Sequence, residues 1–197
     1  MRLRKHLRPA VVSVISLTLL TGCMFPLALF AFGRLLYPGQ AAGGLVTRDG
    51  IIIGSRLIGQ DFTRPEYFHS RPSAAGTGYD GTSSGGTNFG PSNPKLIDDV
   101  RKLVDDYRRS NGLRPDATVP IDAVTRSGSG LDPHISPQNA ALQVPRVARA
   151  RGLNEEVVRH LLADHTRGPQ LGFMGNPRVS VLDLNLALDR VAPLASR

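Results

Sequence analysis

Five histidines, one cysteine and sixteen Asp and Glu residues are the raw material for chemistry in this chain of 197 residues. His160 and His165 are five apart. That separation puts them on different faces of a helix, whereas zinc-binding pairs on a helix need three or four. His69 and His134 stand alone in loop-like sequence, so no metal ligand set is assembled. Gly128-Ser129-Gly130 lacks the Gly-x-Ser-x-Gly spacing of a nucleophile elbow. Neither Gly-rich stretch is followed by the Lys-Ser/Thr pair that completes a phosphate loop. With a single Cys, an intramolecular disulfide is excluded. No residue is assigned a catalytic role and none a metal-binding one.

The elements that would carry these residues can be read from periodicity and punctuation. Leu45-Val46-Thr47, Arg48-Asp49-Gly50 and Ile51-Ile52-Ile53-Gly54-Ser55 read as strand, turn and strand, because Asp-Gly favours the tight turns of hairpins. Arg71 to Pro94 is too rich in Gly, Ser and Pro for regular structure; loops of that length are commonly functional or disordered. Asn93 then caps a helix with Pro94 at its first position, and Asn111-Gly112 closes it. Leu96, Ile97, Val100, Leu103, Val104 and Tyr107 form its apolar stripe. Ser127-Gly128-Ser129-Gly130 is a second flexible stretch. Ser136-Pro137 starts a further helix that Pro145 should kink or split and Gly152 should end. Asn154 caps a helix from Glu155 to about His165. Pro177 to Leu182 reads as a strand and Leu184 to Val191 as a last helix. The fold class expected is α+β, a single mixed domain with a long Gly/Ser-rich loop.

Charge is distributed unevenly. Lys and Arg number 24 against 16 acidic residues, a net charge of +8, half of which comes from Arg2, Arg4, Lys5 and Arg8. Between Arg8 and Arg34 there is no charged residue. As a helix this run would reach roughly 37 Å, more than the ~30 Å of a bilayer's hydrocarbon core. A cleaved signal peptide, a lipoprotein signal ending Leu20-Thr21-Gly22-Cys23, and an uncleaved anchor all fit the basic start. The apolar run continues past Cys23 through Phe32, which favours the anchor. The positive-inside rule then keeps residues 1–9 in the cytoplasm, with 10–33 in the membrane and 34–197 outside. Ala140 to Thr166 could pass for a helix-turn-helix, but a domain on the outer face meets no chromosome, so no nucleic-acid partner is expected.

A set of longer strings is more specific. Tyr67-Phe68-His69-Ser70-Arg71-Pro72-Ser73, Tyr79-Asp80, Ser84-Gly85-Gly86 and Asn88-Phe89-Gly90-Pro91-Ser92-Asn93 follow one another. Ser127 to Pro137, Gln143-Val144-Pro145-Arg146-Val147-Ala148 and Asn185-Leu186-Ala187-Leu188-Asp189 complete them. Together they resemble the C subunit of the bacterial Kdp potassium pump, over nearly the whole chain and in order. The resemblance implies an accessory subunit, itself non-catalytic, of a P-type ATPase that imports K⁺ into the cell across the inner membrane. Its partners would be a channel-like potassium-conducting subunit, the P-type ATP-hydrolysing subunit and a small single-span subunit, within membrane lipid. The family is described as a catalytic chaperone that raises the ATP affinity of the hydrolysing subunit, with ATP in a ternary complex. Any direct nucleotide contact is expected at Gln143 and Arg146. Docking is expected along the loops carrying Tyr67, His69, Arg71, Ser84, Gly85, Gly86, Asn88, Asp132 and His134. The resemblance also implies that the span is kept. A tethered or lipid-anchored extracytoplasmic binding module unrelated to transport is the alternative.

Overall fold

A computed structural model of the chain describes the backbone of residues 3–194 and side chains from residue 6 onward. Arg2, in the basic N-terminus, therefore lies outside the described residues. The apolar run is helical throughout: α1 (Leu3–Leu19), a π-helical turn (Leu20–Met24) and α2 (Phe25–Leu36) follow without a break. The helix is longer than the charge-free run at both ends. From His6 to Leu36 it is long and apolar enough to cross a membrane, and none of that stretch is buried against the rest of the chain. The wide turn sits directly before Pro26. Proline cannot donate to a carbonyl four residues back and its ring crowds that carbonyl. Here Phe25 donates its N–H five residues back, to the Leu20 carbonyl. Thr21 Oγ1 also bonds the Leu17 carbonyl at 2.7 Å. A π turn is a common way to absorb such a mismatch.

A short helix, α3 (Pro38–Ala41), leads into the antiparallel pair β1 (Leu45–Arg48) and β2 (Ile51–Ser55). Asp49 and Gly50 have φ of 54° and 79°, the paired positive values of the expected hairpin turn. From Arg56 to Asn93 the chain has neither helix nor strand. Next comes α4 (Pro94–Asn111), with the Asn93 side chain accepting from the Lys95 N–H at 2.9 Å and Gly112 left-handed at φ 63°. The caps fall where the sequence put them.

The remainder packs around the one core. It comprises α5 (Ile121–Val124), β3 (His134–Ile135), α6 (Pro137–Arg151), α7 (Glu155–Asp164), β4 (Thr166–Arg167), β5 (Arg178–Ser180) and α8 (Val181–Val191). A small antiparallel sheet has the order β3-β5-β4. Against it lie the apolar faces of α6, α7 and α8: Val144, Val147, Val158, Leu162, Leu184 and Leu188 pack with Ile135, Val179 and Phe68.

Two expectations change. Pro145 does not split α6, which runs unbroken from Pro137 to Arg151. Val144, Val147 and Ala148 on either side of it are held in the core, so packing keeps a helix that loses one backbone bond. The last helix starts at Val181, three residues before the expected Leu184, because the Ser180 side chain caps it by accepting from the Asp183 N–H.

Candidate functional site

The segment from Arg64 to Pro72 runs between α6 and α8, and two side-chain amides grip its backbone at consecutive residues. Asn185, on α8, accepts from the Phe68 N–H at 2.8 Å and donates to the Phe68 carbonyl at 2.9 Å. Gln143, on α6, accepts from the His69 N–H at 2.7 Å and donates to the His69 carbonyl at 3.2 Å. Each amide completes the donor–acceptor pair that a neighbouring strand would otherwise supply. The segment needs such partners because Phe68 is fully buried and carries its peptide groups away from water.

Arg146 lies one helical turn beyond Gln143 and finishes this grip. Its Nη2 donates to Gln143 Oε1 at 2.8 Å, Nη1 to the Pro65 and Tyr67 carbonyls at 2.6 and 3.0 Å, and Nε to Asn111 Oδ1 at 2.9 Å. Gln143 is 1 % exposed and Arg146 8 %. No carboxylate touches this guanidinium: its acceptors are carbonyl and amide oxygens. Burial pulls its pKa down to about 10, which still leaves it charged at neutral pH. A nucleotide phosphate could reach either side chain only after the Arg64–Pro72 segment had left the cleft. Among the described residues no buried side-chain nitrogen or oxygen lacks a hydrogen-bond partner.

The expected docking residues fall into two groups. Tyr67, His69 and Arg71 lie on the gripped segment. Tyr67 Oη donates to Asp189 Oδ2 at 3.3 Å, and the Arg151 guanidinium stacks on its ring at 4.8 Å from the centroid. The His69 side chain lines a cleft of about 390 Å³ with Asp61, Tyr79, Asp106 and Tyr107. Burial, together with the nearby Arg146 charge, lowers the His69 pKa, so the ring is neutral at pH 7. Arg71 reaches across to Asp132 Oδ2 at 2.9 Å, while the backbone N–H of His134 caps Asp132 Oδ1 at 3.0 Å. Burial alone would raise the Asp132 carboxyl, but the hydrogen bonds from His134 and then Arg71 outweigh it and hold the group at about 2.

Ser84, Gly85 and Gly86 form the second group, against the other Gly/Ser stretch. Ser84 Oγ and the Gly85 N–H both donate to the Ser129 carbonyl, at 2.9 and 3.0 Å. A methyl group added at Gly86 would stand 3.1 Å from the Gly128 carbonyl. At Gly130, whose φ is 68°, it would stand 2.7 Å from the Gly85 carbonyl. Ser73 ties the groups together by donating to the Gly130 carbonyl and accepting from the Ala75 and Tyr79 N–H groups. The glycine-rich stretch is therefore a bonded irregular layer. Asn88, at φ 52°, is exposed and outside this layer.

Three residues that organise the site were not among the expected nucleotide-contact or docking residues. Asp122, on α5, accepts from the N–H and hydroxyl of Ser136 and from Asn139 Nδ2. Arg151 has a fully buried side chain that joins the Glu66 carbonyl, the Ala192 carbonyl and Asp189. Asn185 mirrors Gln143. Only Asn185 carried a sequence signal, as a lone polar residue among Leu184, Leu186 and Leu188 on the last helix. The distant histidines do not converge: His160 pairs with Asp164, and His165 Nδ1 faces the Leu161 carbonyl. Among the described residues no three His, Cys, Asp or Glu side chains converge as a metal set.

Comparison with known proteins gives this architecture a family. Residues 7–190 match the family model described as KdpC: K⁺-transporting ATPase, c chain. A potassium-transporting ATPase KdpC subunit from Mycobacterium tuberculosis (strain H37Rv) is 51 % identical over 189 residues, covering 96 % of this chain and all of the relative. Subunits of the same description from Koribacter versatilis and Polaromonas naphthalenivorans are 48 % and 52 % identical, over 98 % of both chains in each pair. With a family match across almost its full length and relatives at about half identity, the chain belongs to the KdpC family of K⁺-transporting ATPase subunits.

Proposed function

We propose that the chain is a non-catalytic accessory subunit that stabilises an ATP-driven potassium importer and raises the ATP affinity of its hydrolysing subunit. Residues 1–9 lie in the cytoplasm, 10–33 in the inner membrane and 34–197 outside. The partners are the channel-like potassium-conducting subunit, the P-type ATP-hydrolysing subunit and a small single-span subunit. The observation that carries this reading is the direction in which the polar residues face. Gln143, Arg146, Asn185 and Arg151 all turn inward onto the chain's own backbone, fixing the Pro65–His69 segment in one shape. Such an arrangement suits presentation of a rigid surface to a partner better than turnover of a substrate.

An extracytoplasmic domain cannot meet cytoplasmic ATP, so the nucleotide effect passes through the span and the partner helices. Coupling between two binding events is reciprocal: if docking tightens ATP, ATP tightens docking by the same factor. The test is the KM for ATP of the purified complex with and without this subunit, alongside its retention on a tagged partner at saturating and zero ATP. A higher KM in its absence and tighter retention with ATP are expected. An unchanged KM overturns the chaperone role, and recovery of the subunit only as a free monomer overturns membership of the complex.

A further inference from the structure

Between β4 and β5 the chain makes a short excursion, Gly168-Pro-Gln-Leu-Gly-Phe-Met-Gly-Asn-Pro177, with no charged residue and an arginine at each root, Arg167 and Arg178. It is a tight turn. Gln170 and Met174 exchange two backbone hydrogen bonds, both 2.8 Å. Leu171 and Gly172 take φ of 53° and 83°. Positive φ is unremarkable for the glycine, but a leucine there is strained, where Asn or Gly would fit freely. The strain holds a large apolar side chain at the apex. Leu171 is 82 % exposed and Phe173 78 %, with Met174 half exposed beside them. Strain at a sparsely populated backbone position points to function. A cluster of large apolar side chains thrust into solvent points to a surface that covers it.

The root of this turn is linked by a relay of contacts to the segment that follows the span. The last turn of α2 passes its register to α3, since the Tyr37 N–H donates to Gly33 and the Ala41 N–H to Tyr37. Gly44 donates back to Gly39, and Arg56 donates its N–H to the Gly44 carbonyl at 2.9 Å. Arg56 Nε then meets Asp183 Oδ1 at 2.9 Å, and Arg167 meets Asp183 Oδ2 at 3.8 Å. The turn's root therefore lies on the side of the domain from which the chain leaves the span. We propose that the Gln170–Met174 turn is an interfacial anchor. It lays Leu171, Phe173 and Met174 among the lipid headgroups beside the span, with Arg167 and Arg178 facing anionic phosphates. A lipid surface is favoured as the occupant because Leu171-Gly172-Phe173-Met174 carries no polar side chain and the root lies beside the segment leaving the span. The turn's flanking arginines complement a negative headgroup layer.

This inference rests on residues 10–33 being a membrane span. The chain contains no tryptophan, so Phe173→Trp in the full-length protein is a single reporter. It would be reconstituted in phosphatidylcholine/phosphatidylglycerol vesicles, with and without brominated acyl chains, beside Ile121→Trp on the exposed face of α5. The anchor predicts at least a twofold quench of the Phe173→Trp emission by brominated lipid, deepening with phosphatidylglycerol content and lost when Leu171→Asp is added. Ile121→Trp should stay unquenched. A protein that floats with the vesicles while both reporters are equally open to iodide overturns the anchor alone. Failure to float overturns the span as well. A blue shift that arises only when the other transporter subunits are added overturns the lipid reading in favour of a protein surface.

Discussion

Arg146 shows how much one side chain can hold. Four acceptors converge on its guanidinium, and two of them, Asn111 Oδ1 and Gln143 Oε1, belong to buried side chains. Removing the donor strips a partner from all four, leaving Gln143 Oε1 with the His69 N–H alone, and each buried group left unsatisfied costs about 1–3 kcal/mol. Arg146→Met, similar in length, is expected to destabilise the domain by about 2–4 kcal/mol, read by thermal unfolding in detergent. Arg146→Lys should recover little, since an ammonium cannot span the fork. Titration makes a separate prediction. His69 has a lowered pKa in the fold, so the unfolded chain binds its proton first and stability falls as pH drops below about 6.5. Asp132, held at about 2 against an unfolded value near 3.8, contributes stability above pH ~4 that is lost as the pH falls towards 2. Denaturation midpoints against pH should show two descending stages. Asp132→Asn should flatten only the lower one.

At the level of elements, the helix ends were legible because capping is local chemistry. Asn93, Ser136 and Asn154 each accept from a backbone N–H two or three residues on, and Gly112 and Gly152 turn left-handed at φ 63° and 65°. The hairpin turn was legible for the same reason. What sequence could not show is chemistry between distant parts of the chain. The two-residue strands β3 and β4 exist only because β5 passes between them, and Gln143 meets His69 across 74 positions. That the two Gly/Ser stretches bond to each other was not legible, because composition does not show which irregular segments meet. Ser136 combines the two kinds of information. It caps α6 locally and joins Asp122 of α5 through both its hydroxyl and its N–H. Ser136→Ala should therefore cost more than the ~1 kcal/mol of an ordinary cap, since Asp122 also loses a donor. Ser180→Ala, whose hydroxyl makes only a cap bond of 3.4 Å, should cost less. Paired urea melts of the two variants would check the order.

For the molecule as a whole, the question is which side of the membrane the folded domain occupies, because the route by which it could affect ATP follows from the answer. The candidate span packs no buried face against the domain: no residue from His6 to Leu36 is buried, so its apolar surface is free for lipid or another helix to cover. The π turn at Leu20–Met24 and the small residues Gly22 and Gly33 leave open space along it, with nothing within 4 Å of where a Cβ would stand. Such positions suit close packing against another helix. Four basic residues precede the span and a single arginine, Arg34, follows at once. The bias in short flanks sets orientation, so the N-terminus should remain inside. Cys23 is the sole cysteine and can be replaced by Ser, after which one cysteine added behind Arg197 reports on the domain. An impermeant maleimide should label that cysteine in intact spheroplasts as fully as in lysed ones. Adding four lysines after Arg34 should reduce labelling of the intact cells, since the charge bias would then no longer favour one orientation. Labelling of the unaltered span only after lysis would put the domain in the cytoplasm. Arg146, Gln143 and the cleft they close would then share a compartment with ATP, and the coupling would no longer have to pass through the helix.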